Sequence, residues 1–106
     1  MLRSTMLSLA VAFGGLATSP AWANTVQVAI TDFSFTPATI TVHSGDTVVW
    51  TNGDSVPHTA TARDGKSFDT GTIDPNATGK AVFSKPGHYE YYCTVHPDMR
   101  GAVDVK

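Results

Sequence analysis

A single cysteine, Cys93, occurs in the 106 residues, so no disulfide can close within the chain. Basic clusters are missing as well. Seven Lys and Arg side chains stand against nine Asp and Glu for a net charge of -2, and no run of five basic residues occurs. That composition gives nucleic-acid binding no electrostatic footing. No apolar stretch reaches the roughly 20 residues that a membrane-spanning helix requires. Amphipathic helical periodicity is also absent, which leaves strands to build the core.

The longest apolar stretch lies near the start, from Met6 to Ala17, after Arg3 and ahead of Ala21-Trp22-Ala23. A positive charge, a short apolar segment and a small-x-small site form the pattern of a secretory leader. Residues 1–23 are therefore expected to be a signal peptide and residues 24–106 one exported domain, with no stable membrane insertion after cleavage. The domain would then have 83 residues, six basic and nine acidic side chains, and a net charge of -3. Its core is small for stability without a staple, and in a secreted chain a lone cysteine calls for a role: intermolecular pairing, a buried inert thiol or a metal ligand.

The rest reads as all-β. Val26, Val28 and Ile30 alternate with polar or small residues, as do Ile40 and Val42 with Thr39 and Thr41, and Pro37 separates the two runs. Ser44-Gly45-Asp46 turns the chain into Thr47–Thr51, which Asn52-Gly53 ends. Further strands are expected at Lys80–Ser84, at His88–Cys93 after the Lys85-Pro86-Gly87 turn, and at Gly101–Val105, where Gly101 would allow the chain to turn. Residues 54–79 carry the weakest pattern. Short strands joined by Gly and Pro turns make a β-sandwich or barrel.

Strand parity sorts the four histidines. In the strand leading to Cys93, the residues Tyr89, Tyr91 and Cys93 share one face, while His88, Glu90 and Tyr92 share the other and more polar one. His88 is thus outward, and so is His43, opposite Ile40 and Val42. His58 and His96 lie in loops, each beside a proline. The segment CTVHPDM places Cys93, His96 and Met99 three residues apart. Helical spacing would also produce this, but the β-branched Thr94 and Val95 and the interrupting Pro97 favour a tight loop at a strand end. Thiolate and thioether are soft donors suited to copper, and two His, one Cys and a weak axial Met form the donor set of copper electron-transfer sites. The loop supplies three, and His58, 35 residues before Cys93, is the remaining histidine that parity does not turn outward. A metal-bound thiolate accounts for the lone cysteine, and the metal can staple a small core.

The segments WTNGDSVPH and HYEYYCTVHPDMRG resemble the type I copper proteins called cupredoxins, most closely those of the amicyanin and plastocyanin branch, over nearly the whole of residues 24–106. The resemblance implies a Greek-key β-sandwich with one type I copper ion held by His58, Cys93, His96 and Met99. It also implies that Asn52 ties the two ligand loops together, and that the protein is a periplasmic, monomeric electron carrier rather than an enzyme. Transient docking to a redox donor and acceptor is expected at an apolar patch of Val56, Pro57, Val95 and Pro97 around His96. Tyr92 corresponds to a surface tyrosine of plastocyanins and is a second contact. The two residues between His96 and Met99 match the short loop of amicyanins. Val95 stands where amicyanins often have proline and Asp98 where they often have an aromatic residue, which leaves the partner open. Other readings of the same residues are a periplasmic copper carrier or store, a cysteine hydrolase using Cys93 and a histidine, and a secreted binding module with a buried thiol.

Overall fold

A computed structural model describes residues 23–106; the expected signal peptide lies, apart from Ala23, outside the described residues. Eight strands are described: β1 (Thr25–Thr31), β2 (Ser34–Thr36), β3 (Thr39–Val42), β4 (Asp46–Asn52), β5 (Thr61–Ala62), β6 (Thr78–Phe83), β7 (Gly87–Tyr92) and β8 (Arg100–Val105). They form two four-stranded sheets in the orders β2-β1-β4-β6 and β3-β8-β7-β5, a Greek-key sandwich with no helix among the described residues.

Alternation decides which side of each strand enters the core. Parallel pairing sets Val28 beside Trp50 in β1 and β4, and Ile40 beside Val103 in β3 and β8. All four are buried, so each register puts apolar residues of neighbouring strands on the inner face. The parity assignments hold in β7: Tyr91 and Cys93 are fully buried, whereas His88 and His43 are exposed, with His88 flanked by Glu90 and Asp104.

A polar contact crosses the core. The Trp50 indole Nε1 donates to the Tyr91 hydroxyl at 3.1 Å, joining β4 of one sheet to β7 of the other. Both buried polar tips are thereby satisfied, and Phe68 stacks on Trp50 at 5.6 Å. A buried Trp of this kind is worth on the order of 3–5 kcal/mol against truncation to Ala. Burial pushes the Tyr91 hydroxyl up to about 12, so it remains a neutral acceptor and donor at ordinary pH.

Gly101 corrects one expectation. It lies inside β8 opposite Tyr91 rather than at a turn, and a Cβ there would come within 2.4 Å of the Tyr91 ring. Its value is the space it leaves for that ring. β2 was absent from the sequence reading because three residues offer too short an alternation to recognise. The weakly patterned 54–79 segment gains order from β5 and from isolated antiparallel bridges at His58–Ile73 and Thr61–Asp69.

Candidate metal centre

The three predicted donors of the CTVHPDM loop are arranged by backbone hydrogen bonds. The His96 amide donates to the Cys93 carbonyl at 3.2 Å and the Met99 amide to the His96 carbonyl at 2.9 Å, so two four-residue turns sharing His96 follow β7. Turns of this kind bring side chains three apart toward the same side. The Cys93 amide then donates to the Met99 carbonyl at 3.1 Å and closes the loop. Here lies the physical reason for the i, i+3, i+6 spacing, obtained without a helix.

His58 reaches the same place from the other sheet's side. Its amide donates to the Ile73 carbonyl at 3.1 Å and its carbonyl accepts from the Ile73 amide at 2.7 Å, a two-bond bridge that fixes its backbone. Its Nδ1 lies 3.7 Å from Cys93 Sγ, and His96 Nδ1 lies 3.8 Å from the same sulfur. One donor atom from each of the three falls within 4.8 Å of the others. Metal–sulfur bonds of about 2.3 Å and metal–nitrogen bonds of about 2.0 Å, at angles near trigonal, put N and S roughly 3.5–3.8 Å apart, so the spacing fits one shared ion. His58 and Cys93 are fully buried, Met99 is 4% exposed and His96 is half-buried. Two imidazoles and a thiol, with the thioether of Met99 in the same loop, make a soft donor set suited to copper.

The sulfur has a donor of its own. The Thr59 amide donates to Cys93 Sγ from 3.3 Å and orients the sulfur. Thr59 also joins the two ligand loops, because its hydroxyl accepts from the Thr94 amide at 2.9 Å. That role had been expected of Asn52. Asn52 is fully buried, but its side-chain amide donates to the carbonyls of Val56 at 2.8 Å and Ile73 at 2.9 Å, and its oxygen accepts from the Asp54 amide at 2.9 Å. It shapes the His58 loop from within and does not reach the cysteine loop, since its position at the end of β4 aims it at residues 54–56 and 73.

Asp54 and Phe33 also border the candidate centre, and no sequence motif marks either of them. The β1–β2 hairpin turns through Asp32 and Phe33, both with positive φ (52° and 58°), the backbone of a type I′ turn without the glycine it usually contains. The Asp54 carboxylate accepts both turn amides, Asp32 at 2.8 Å and Phe33 at 3.0 Å, and lies 2.8 Å from His58 Nε2. Burial works to raise the Asp54 carboxyl, but the hydrogen bonds from Phe33, His58 and Asp32 outweigh it and hold the group below its usual value. The turn in turn sets the Phe33 ring edge-on to His58 at 5.2 Å and to His96 at 4.8 Å. An Asn-Gly or Asp-Gly pair at residues 32–33 would have revealed the turn; Asp-Phe does not.

His96 and Met99 line an open surface depression together with Phe33, Val95, Pro97 and Asp98. Val95 and Pro97 of the predicted patch border it, Val56 and Pro57 do not, and Phe33 takes their place. Val95 and Phe33 are 55% and 48% exposed, unusual for large apolar side chains. Tyr92 is only half-buried outward, because the Arg63 guanidinium lies over its ring at 4.6 Å.

Comparison with known proteins matches residues 4–105 to the family described as a cupredoxin-like domain. The chain is 33% identical to amicyanin-alpha of Methylorubrum extorquens over 110 residues, covering 99% of this chain and 92% of that protein. Among solved structures, a purple cupredoxin from Nitrosopumilus maritimus superposes with a TM-score of 0.71 at 30% identity, over 76% of this chain and 99% of that one. An oxidised amicyanin mutant does so with a TM-score of 0.72 at 28% identity, over 76% of this chain and 81% of that one.

Proposed function

Because the chain belongs to the cupredoxin-like family, we propose that it is a type I copper electron-transfer protein whose ion is held by His58, Cys93, His96 and Met99. Copper in such a site supplies a one-electron Cu(II)/Cu(I) couple whose potential the protein surroundings set. The observation that carries this reading is the convergence of Cys93 Sγ and two imidazole nitrogens within 4.8 Å, on loops already fixed by backbone hydrogen bonds.

Each residue has a definable part. Cys93 would hold the ion through its sulfur, to which the Thr59 amide donates. His58 and Cys93, buried and backbone-bonded, hold their positions with little reorganisation, the condition a fast electron carrier needs. Met99, anchored through its own amide and carbonyl, would hold the ion through its thioether and supply a weak soft donor. His96 and Met99 both line the surface depression, and His96, the more exposed of the two, is the route for electrons. Four protein donors leave no position for a substrate, so the protein carries electrons and does not turn over a substrate.

Docking uses the apolar rim of Phe33, Val95 and Pro97, which suits a small and short-lived interface. Exposed Asp98 adds a negative charge beside His96 and favours redox partners with basic groups facing it. Tyr92 serves less well as a contact while Arg63 covers it. Export by residues 1–23 would place the domain in the periplasm as a monomer. A copper carrier fits less well, since two donors are wholly buried inside hydrogen-bonded loops that would have to open to hand the ion over.

The reading is tested by the visible spectrum of the copper-loaded protein. An intense blue or purple thiolate-to-Cu(II) band is expected, and Cys93→Ser abolishes it while leaving the fold intact. A colourless copper-loaded wild type contradicts the assignment.

A further inference from the structure

The contacts of Asp54 go beyond holding a turn. Its carboxylate accepts the amides of Asp32 and Phe33, one on each oxygen, and lies 2.8 Å from Nε2 of His58. With both oxygens already accepting backbone amides, the geometry suits an Nε2–H of His58 donating to Asp54. A neutral imidazole protonated at Nε2 has its free lone pair on Nδ1, and Nδ1 is the atom 3.7 Å from Cys93 Sγ. The ring is fully buried, so water does not compete for either nitrogen.

We propose that Asp54 is the positioning residue of the metal centre: its carboxylate fixes the tautomer and orientation of His58 and, through the Asp32–Phe33 turn, holds the Phe33 ring against both ligand imidazoles. A carboxylate bonded to the outer nitrogen of a ligand histidine raises the basicity of the inner one. Its negative charge also favours the more positive oxidation state of a bound ion, so Asp54 lowers the reduction potential. That last consequence rests on the copper reading; the tautomer does not.

The experiment compares wild type, Asp54→Asn and Asp54→Ala in two states. In the metal-free protein, nitrogen-15 NMR of the imidazoles is expected to place the His58 proton on Nε2 in wild type and to show a mixture of tautomers in Asp54→Ala. In the copper-loaded protein, Asp54→Asn keeps a hydrogen-bond acceptor but loses the charge. Its midpoint potential should rise by the equivalent of a tenfold change in the Cu(II)/Cu(I) affinity ratio, about 59 mV for one electron. Asp54→Ala should also bind copper about 10- to 100-fold more weakly. A purely structural Asp54 would lower the melting temperature and move neither readout. The proposal is overturned if the His58 proton sits on Nδ1 in wild type, if its tautomer is unchanged in Asp54→Ala, or if Asp54→Asn has the wild-type potential. Should Asp54→Ala fail to fold, the Asn variant and the wild-type tautomer still decide the matter. A wild type that takes up no copper would refute the copper reading, while the tautomer comparison would go on testing Asp54.

Discussion

Strand β4 has a turn-clamping carboxylate near each end, and the two differ in one contact. Asp46, at the start of β4 and 2% exposed, accepts the amides of Asn24 and His43, each at 2.8 Å. Asp54, two residues past its end, accepts the amides of Asp32 and Phe33. Both carboxyls are held below their ordinary range: Asp46 by the amides of Asn24 and His43 against its burial, Asp54 because the same kind of bonds outweighs its desolvation. Only Asp54 hydrogen-bonds an imidazole, at 2.8 Å; the exposed His43 ring stays 4.0 Å from Asp46. The same device thus staples the sandwich at one end, while at the other it couples the fold to His58 of the candidate metal centre. The functional end reuses structural chemistry and adds a single contact to it.

Removing that contact should make the two ends alike. His58→Ala abolishes the visible band and, by emptying a buried site and unpairing Asp54, should cost the metal-free protein about 2–3 kcal/mol in denaturant unfolding. His96→Ala also loses the native band but should change metal-free stability by less than about 1 kcal/mol, because its ring borders solvent. Equal losses in the two variants would break the distinction between a fixed and an accessible ligand.

At the opposite end, Asp46→Asn should leave the visible spectrum and midpoint potential unchanged and lower the melting temperature at neutral pH, since an amide can accept from only one of the two donors. The sign of its pH dependence follows from the depressed folded value. The stability Asp46 contributes is fully present above the unfolded value of 3.8 and is lost as pH falls through the lower folded value, so the gap between wild type and Asp46→Asn narrows in acid. A spectral change in this variant would show the two ends to be coupled.

The smallest effect is expected at His88, on the exposed face of β7. Hydrogen bonding to Asp104 raises its value above 6.5, against a small cost of desolvation and with help from Glu90. Its contribution is complete below 6.5 and disappears as pH rises through the folded value, so His88→Gln should lower the melting temperature slightly at pH 5 and not at pH 9. Neither pH should show a change in the metal centre.

The residues of the candidate centre can be picked out in the sequence because they are local or because little else is left. Cys93, His96 and Met99 fall within one loop, and parity turned His43 and His88 outward, leaving His58. The strands were legible wherever alternation ran for four residues or more. What was not legible depends on bonds between residues far apart in sequence. Asp54 meets the Asp32–Phe33 turn across 21 and 22 positions, and Thr59 meets Cys93 across 34. Periodicity describes which way a side chain faces, not which distant amide it accepts. Asn52 shows the same limit, since its place in the sequence was recognised and its partners were not. Gly101 is similar: its lack of a side chain serves the Tyr91 ring across the β7–β8 pair.

Electron carriage through one copper ion is tested most directly by a redox titration of the copper-loaded domain, residues 24–106, followed in the visible band. The account predicts that one electron per protein bleaches the band, that oxidation restores it fully, and that the cycle repeats without loss of copper. A titration that needs other than one electron, or reduction that releases the ion, would contradict it.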